Sequence, residues 1–291
     1  RIIVPVAPGG SLDILGRLLA KHLTEALGQN VVTENKPGAG SNIAFELVAR
    51  AAPDGLTLLV GSDPLTINPA LYPRVGFDPV RDFSPVIEAV RAPQVLVVHP
   101  SAPARDVAGF IAWARAADGK LTLASQGNGS IGHLAGALLE LRAGIKMEHV
   151  AYRGGAESAR DVAAGNIDGA IGTANSFAPI IQNDRARGIA LTSGERRGSL
   201  AHLPTLAESG FPGFDLTSWN GLFAPSATPA PVRARLEAAL RHATTDEPTR
   251  QRLAASGNDV VVESADAFAE RIRKDRDLVR QLIRETGLKI E

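Results

Sequence analysis

The chain has 291 residues, of which 44% are hydrophobic and 21% are charged, a balance typical of globular proteins. Because ordinary domains hold about 100–150 residues, we expect two lobes. The 31 basic residues cancel the 31 acidic ones, so the basic excess of a surface that binds nucleic acid or anionic lipid is missing. No apolar run approaches the roughly 18 residues that a membrane span needs, and we expect no direct membrane insertion.

Cysteine is absent from the sequence, which excludes disulfides, thiolate nucleophiles and metal sites built on cysteine. The sequence begins at Arg1, already inside a predicted strand. We therefore expect that an N-terminal segment, such as a secretory signal, has been removed.

The first third of the chain alternates short apolar strands with amphipathic helices. The predicted strands are residues 2–6, 31–34, 56–60 and 94–98, and the predicted helices are residues 12–27 and 43–51. This alternation is typical of a parallel sheet covered by helices on both faces.

A second series of the same kind follows two prolines, Pro100 and Pro103. Its predicted helices are residues 107–117, 131–141 and 156–164, and its predicted strands are residues 121–124, 147–151, 168–171 and 188–191. After a proline-rich stretch the composition changes to charged helices. The last of them, residues 265–285, has Ser264 as its expected N-cap and a buried stripe made of Phe268, Ile272, Val279, Leu282 and Ile283.

Two glycine-rich segments connect a strand to a helix, where open α/β sheets bind their ligands. The first loop, residues 5–13, contains Pro8-Gly9-Gly10-Ser11, and the second loop, residues 125–133, contains Gly127-Asn128-Gly129-Ser130. Glycines allow backbone N–H groups to point at an anion, and the following helix adds the positive end of its dipole. Tight turns with ordinary helix caps explain the same residues, so both interpretations stay open.

The second loop also carries the dinucleotide-binding pattern G-x-G-x-x-G at Gly127, Gly129 and Gly132. Glu148 is a candidate ribose acid, but it lies 16 residues beyond Gly132 rather than about 20. The alternative function is therefore a nucleotide-binding α/β enzyme that uses this loop.

Catalytic and metal-binding patterns are missing from the sequence. Its six histidines form no H-x-H or H-E-x-x-H pair, so we expect no metal site. Ser130 lacks the G-x-S-x-G context of an esterase. His133 opens a predicted helix, where it either donates to a ligand or is satisfied by the backbone. Tyr152 follows a strand end and is a candidate pocket wall.

Taken in order, several motifs resemble the Bug family, the receptors of tripartite tricarboxylate transport systems. The matching stretches are Pro8-Gly9-Gly10 with Asp13 and Arg17, Glu34-Asn35-Lys36-Pro37-Gly38-Ala39-Gly40, Pro53-Asp54-Gly55, Ala151-Tyr152-Arg153-Gly154 and Trp219-Asn220-Gly221-Leu222 with Ala224-Pro225. The resemblance covers essentially the whole chain. The chain departs from it at Val6-Ala7, where the family more usually has Phe-Pro, and this leaves the identity of the ligand open.

The resemblance implies an α/β, two-lobed periplasmic-binding-protein fold of the type II kind with two crossover strands. We expect residues 1–98 in lobe one, residues 99–221 in lobe two, and residues 222–291 returning to lobe one. It implies a periplasmic, monomeric protein that is not an enzyme and needs no cofactor. Such a receptor captures an amino acid, an aromatic acid or a di- or tricarboxylate by lobe closure. Its expected partners are membrane transporter subunits or a sensor kinase.

Carried over to this sequence, the resemblance places the carboxylate grip on the two loops. The candidate ligand-binding residues are Ala7, Pro8, Gly9, Gly10, Ser11, Asp13, Ser125, Gly127, Asn128, Gly129 and Ser130, with His133 added because it opens the helix after the second loop. Tyr152, Gly154 and Asp168 are candidates for the variable end of the ligand. A third interpretation is the effector-sensing domain of a cytoplasmic transcription regulator, which shares this architecture.

Overall fold

The computed structural model describes residues 1–9, 11–72, 74–247, 250–251, 253 and 259–287. The chain divides into two compact units. Unit 1 comprises Arg1–Arg91 and Trp219–Ile283, and unit 2 comprises Ala92–Ser218 together with the chain end from Arg284. The sequence predicts these boundaries after residues 98 and 221. In the structure they fall inside two strands, which pass from one unit to the other without a turn that the sequence could signal.

Strands and helices alternate along most of the described chain. The strands are β1 (Ile2–Val4), β2 (Thr33–Asn35), β3 (Leu58–Ser62), β4 (Phe83–Val98), β5 (Thr122–Ser125), β6 (Glu148–Ala151), β7 (Gly169–Thr173), β8 (Arg187–Leu191), β9 (Thr217–Pro225) and β10 (Asp259–Glu263). The α-helices are α1 (Ser11–Leu27), α2 (Asn42–Ala49), α3 (Pro64–Leu71), α4 (Val107–Ala116), α5 (Ile131–Ala143), α6 (Gly155–Ala164), α7 (Ala174–Gln182), α8 (Ala230–Thr245) and α9 (Ala265–Thr286).

The sheet of unit 1 is built around β1, which pairs in parallel with both β2 and β3. β3 then pairs antiparallel with β9, and β10 pairs antiparallel with β4. Successive residues of β1 enter different cores: Ile2 and Val4 pack with α1 and α8, whereas Ile3 packs with Phe45 of α2 and with α9. Burial on both faces explains why these strands read as continuous apolar runs.

The sheet of unit 2 places β5 between β6 and β7, with parallel pairing on both sides. β7 and β8 each pair antiparallel with the second half of β4. Helix α5 lies so close to β7 that a Cβ at Gly132 would stand 2.3 Å from the carbonyl oxygen of Ile171. Glycine at position 132 therefore serves helix-to-strand packing.

Helix ends follow the sequence signals closely. Ser130 caps α5 by accepting the N–H of His133, and Gly144 ends that helix in the left-handed conformation. Ser264 accepts the N–H of Ala267 at the start of α9, as predicted. Phe268, Ile272, Val279 and Leu282 are buried as predicted, while Ile283 is half-buried.

Some elements were not predicted. The first half of β4 and the whole of β9 are missing from the sequence prediction, as are α3 and α7, which contain Pro69 and Pro179. Proline inside an apolar segment argues against a helix by sequence alone, because it removes one backbone hydrogen bond, yet the structure has both helices. Within the described ranges, no helix combines the length and the apolarity required to cross a membrane.

Candidate functional site

The first loop leaves the buried end of β1 and rises to the surface before α1 begins at Ser11. Pro5 is buried, whereas Ala7, Pro8 and Gly9 are exposed. Gly9 has a φ of +97°, a conformation that side chains other than glycine rarely adopt. Two predicted ligand contacts, Gly10 and the side chain of Ser11, lie outside the described part of the chain.

Asp13 holds the first loop in place from the first turn of α1. Its Oδ2 atom accepts the N–H of Gly9 at 3.0 Å and the Nε–H of Arg17 at 2.9 Å, and its Oδ1 atom accepts the Nδ2–H of Asn35 at 2.8 Å. The hydrogen bond from Arg17 is the main reason that the pKa of Asp13 falls to about 2. Only 3% of the residue is exposed, and both carboxylate oxygens are engaged. We therefore assign Asp13 to loop support rather than to ligand contact.

Asn35 connects the first loop to the next crossover. Besides its bond to Asp13, its amide donates to the carbonyl oxygen of Val6 at 2.9 Å. The segment that follows β2 is conformationally unusual, because φ is positive at four consecutive residues from Gly38 to Ser41. Ala39 and Ser41 are not glycines, and such backbone strain tends to occur at functional sites. This segment extends the candidate site of unit 1 along the carboxyl edge of its sheet.

The second loop follows β5 and repeats the design of the first. Gly127 and Gly129 have φ values of +124° and +73°. The N–H of Gly129 donates to Nδ1 of His133 at 3.1 Å, so that atom is an acceptor and the neutral ring carries its proton on Nε2. His133 therefore supports the second loop as Asp13 supports the first.

A second imidazole buttresses the same loop. The ring of His149 stacks on that of His133 with a centroid distance of 3.7 Å and an angle of 3°. Its Nε2 atom lies 2.7 Å from Oγ of Ser125, and Oγ of Ser125 donates its one hydrogen to the carbonyl oxygen of Gly127 at 3.0 Å. Burial and the neighbouring His149 lower the pKa of His133 to about 4, and burial lowers the pKa of His149. Both rings line a cavity of about 160 Å³ behind the loop.

Two side chains of the second loop, Asn128 and Ser130, keep donors available for a ligand. Asn128 is exposed, and its amide forms no hydrogen bond with the described residues. Oγ of Ser130 accepts the N–H of His133 at 3.3 Å, which leaves its hydroxyl hydrogen free to donate. An amide and a hydroxyl at a helix N-terminus can bind a carboxylate.

The end of β6 lies next to the second loop. The backbone N–H of Tyr152 donates to the carbonyl oxygen of Ser125, while its hydroxyl donates to Oδ2 of Asp161 at 2.7 Å. Burial, together with Asp161, raises the pKa of Tyr152 to about 12. Gly154 precedes α6 and is half-buried. Tyr152 thus offers its backbone and ring to this edge, but not a free hydroxyl.

Sequence reasoning missed a polar cluster at the same edge of unit 2. Nε2 of Gln126 donates to Oγ1 of Thr173 at 2.9 Å, and Oγ1 of Thr173 lies 3.0 Å from Oγ of Ser176. A Cβ at Gly155 would stand 2.2 Å from Oγ of Ser176, so only glycine fits there. The cluster joins residues from three strand ends, and no local motif announces it.

Asp168 lies at the opposite end of β5 from the second loop. Its Oδ2 atom accepts both the N–H and the hydroxyl of Thr122, at 2.9 and 2.8 Å. Thr122 begins β5, whereas the second loop follows the end of β5, so the two positions are a strand length apart. The structure does not bring Asp168 to the other candidate residues, and we leave it out of the proposed site.

The nucleotide alternative finds little geometric support. Glu148 is the first residue of β6 and pairs with Thr122, which puts it at the amino end of the strands. A ribose-binding acid belongs at the carboxyl end, beside the glycine loop. In the described ranges, no group of three His, Cys, Asp or Glu side chains is arranged to hold a metal ion.

Comparison with known proteins gives a consistent result. The family model "Tripartite tricarboxylate transporter family receptor" matches residues 15–288. The chain is 37% identical to a UPF0065 protein from the tcbD–tcbE intergenic region of Pseudomonas sp. strain P51, a match that covers 98% of this chain and 85% of that protein. It is 30% identical to protein BugT of Bordetella pertussis, over 100% of this chain and 90% of BugT.

Solved structures agree. A TctC solute-binding protein from Polaromonas has a TM-score of 0.89 and 27% identity, over 98% of this chain and 97% of that one. Rpa4515 of R. palustris, solved with adipate, has a TM-score of 0.79 and 31% identity, over 99% of this chain and 97% of that one. The predicted α/β, two-lobed fold and the predicted resemblance to Bug receptors are confirmed by these likenesses.

Proposed function

Because this chain belongs to the tripartite tricarboxylate transporter receptor family, we propose that it is a periplasmic receptor that binds a small carboxylate and releases it unchanged. One observation carries the proposal: each unit presents a glycine loop before a helix, and a side chain four residues on holds each loop glycine. The pairs are Gly9 with Asp13 and Gly129 with His133. Such preformed loops suit anion binding.

The carboxylate class is supported by a relative. Rpa4515, 31% identical to this chain, was solved with adipate, a small dicarboxylic acid. In this chain the proposed contacts are the exposed backbone N–H of Ala7 in the first loop and the side-chain donors of Asn128 and Ser130 in the second loop. Each hydrogen bond to a charged carboxylate is worth roughly 1.5–3 kcal/mol, so two or three suffice for a useful affinity.

Thermal-shift screening of the purified protein tests the proposal. We expect at least one member of a panel of amino acids, aromatic acids and dicarboxylates, adipate and malate included, to stabilise the fold. A ligand at 100 times its dissociation constant should add about 2.7 kcal/mol. Mass spectrometry should recover that ligand intact. Stabilisation by ATP or NAD alone, or turnover of an acid, would contradict the proposal.

A pair of variants tests the site. Asn128→Ala should weaken binding of the ligand found in the screen by about tenfold, because a charge-assisted hydrogen bond is lost. Asn166→Ala is the matched control, since Asn166 is also exposed in unit 2 but follows α6 rather than the loop. Equal affinity in both variants would remove Asn128 from the site.

Transfer of the ligand requires that partner proteins distinguish the ligand-bound receptor from the empty one. We propose that binding favours a closed arrangement of the lobes, which the membrane subunits of a tripartite transporter, or a sensor kinase, recognise in a monomeric receptor. Small-angle scattering with and without saturating ligand should show a smaller radius of gyration in its presence. An unchanged radius would exclude closure as the signal.

A further inference from the structure

Asp63 stands at the carboxyl edge of the sheet of unit 1. It follows Ser62, the last residue of β3, and precedes α3. β3 runs parallel to β1 in the register Ile3 with Leu59, so the two strands end at the same edge. Asp63 and the first loop therefore emerge from neighbouring strand ends, where α/β sheets bind ligands.

Within the described part of the chain, the carboxyl group of Asp63 has no counter-ion. The backbone N–H groups of Asp63 itself and of Trp219 lie near enough to lower its pKa, and the carboxyl group does not cap α3. No ion pair of the described residues includes Asp63, in contrast to Asp13, Asp78 and Glu88, each of which has an arginine partner. The residue as a whole is partly exposed, and it lies at the end of a strand rather than within the hydrophobic core.

A carboxylate in this environment destabilises the protein when no ligand is bound. Removal from water is the main reason that the pKa of Asp63 rises to about 6, and the two backbone donors offset it only in part. A desolvated carboxylate without a cation is usually retained for a purpose, such as binding a ligand or catalysing a reaction. A structural aspartate at this position would be expected to cap the helix or to pair with an arginine.

Two further polar groups mark the same strand end. Ser62 pairs with Asn220 of β9, so their side chains share one face of the sheet. Both residues are partly exposed, and their side chains form no hydrogen bond with the described residues. The edge thus offers an anion and two neutral hydrogen-bonding groups.

We infer that Asp63 selects a ligand that carries a protonated amine in addition to its carboxylate, that is, an amino acid or a similar small zwitterion. The inference rests on the proposed function. The first loop of the same unit takes the carboxylate, and Asp63 supplies the counter-charge for the ammonium group. A dicarboxylate without an amine would instead meet a like charge here.

Matched ligand pairs test the inference by isothermal titration calorimetry at pH 7.5. The pairs are aspartate with succinate, glutamate with glutarate, and alanine with propionate, which differ only in the amine. We expect the amine member of at least one pair to bind ten times or more tightly than its partner. Asp63→Asn should abolish that preference, while Asp277→Asn, an exposed control in unit 1, should keep it.

The outcomes separate the two proposals. If acids bind but the amine confers no advantage, the role of Asp63 is refuted and the carboxylate receptor stands. If no acid binds, both fail. If Asp63→Asn does not fold, Asp63→Ser and the wild-type ligand pairs decide. A variant that loses stability but keeps the preference would show that Asp63 is only structural.

Discussion

The backbone N–H of Gly129 donates to Nδ1 of His133 at 3.1 Å, across one turn of chain. Gly9 and Asp13 repeat this arrangement at the same spacing in the other unit, with a distance of 3.0 Å. In both cases a side chain in the first helical turn fixes a glycine of positive φ. The receptor therefore preorganises its loops with short-range contacts, and the cost of ordering them is met before a ligand arrives.

The first prediction concerns Asp13. Asp13→Ala should destabilise unit 1 by about 1–3 kcal/mol, because the hydrogen bonds that the buried carboxylate accepts from Gly9 and Asn35 are lost. Affinity for the ligand should fall at least tenfold as the loop loosens. Arg17→Ala is the control: the Arg17 side chain is 53% exposed, so its removal should cost less than 1 kcal/mol. Urea denaturation measures the loss of stability, and calorimetry measures the loss of affinity. If Asp13→Ala binds the ligand as tightly as wild type, Asp13 does not support the loop.

The second prediction is a pH dependence that originates at His133. Its folded pKa of about 4 lies below the ordinary value of 6.5, so the unfolded chain binds more protons between these limits. Stability should therefore fall as the pH is lowered from 6.5 towards 4. Protonation would also put a hydrogen on Nδ1, opposite the N–H of Gly129, and break the loop contact.

His133→Asn tests this origin, because an amide oxygen can replace Nδ1 as acceptor and does not titrate. The variant should bind ligand at pH 7 and lose stability less steeply on acidification. His202→Gln, an exposed control in unit 2, should follow the wild type. If His133→Asn and wild type lose stability in parallel, the dependence arises elsewhere.

The third prediction concerns the stability cost of Asp63. Its folded pKa of about 6 lies above the ordinary 3.8, so the folded state holds a proton that the unfolded state releases. The stability associated with that proton is present at pH 4 and is lost as the pH rises through about 6. Asp63→Asn should therefore have a higher melting temperature than wild type at pH 7.5, and the difference should shrink near pH 4. Equal destabilisation at both pH values would argue for a purely structural aspartate.

The fourth prediction concerns a buried ion pair in β4. Glu88 is fully buried and binds Arg91 through two contacts of 2.6 and 2.8 Å. Glu88→Ala should cost about 3–5 kcal/mol, because a largely buried guanidinium loses its best partner. Glu270→Ala breaks an exposed pair with Arg273 and should cost at most about 1 kcal/mol. Similar losses in the two variants, measured by urea denaturation, would contradict the distinction.

Hydrophobic periodicity predicted α1, α5 and α9 nearly to the residue, and α1 and α5 are the helices that follow the two loops. The same signals made Asp13 and His133 candidates for ligand contact but did not show that each accepts the N–H of a loop glycine. The sequence shows that four residues separate each glycine from its acceptor, but only the folded loop shows that the two groups form a hydrogen bond.

Longer-range features could not be predicted from local patterns. β9 contains Gly221, which reads as a strand breaker, yet a Cβ there would stand 2.4 Å from the ring of Phe268 and 2.5 Å from the carbonyl oxygen of Ile87. Trp219, two residues earlier, donates to Asp275 of α9 at 2.8 Å. These contacts give a physical reason for the Trp-Asn-Gly motif, but they depend on a helix some 50 residues away in sequence.

Asp13 and His133, which accept hydrogen bonds from the loop glycines, also affect how quickly the ligand dissociates. A carboxylate bound by the side chains of Asn128 and Ser130 leaves the N–H of Gly129 on Nδ1 of His133. When the carboxylate departs, the N–H of Gly129 still has its acceptor, so the loop does not pass through a state in which this donor is unpaired. A transport receptor needs a low barrier to ligand dissociation, because a ligand that is bound too tightly is not transferred to the transporter.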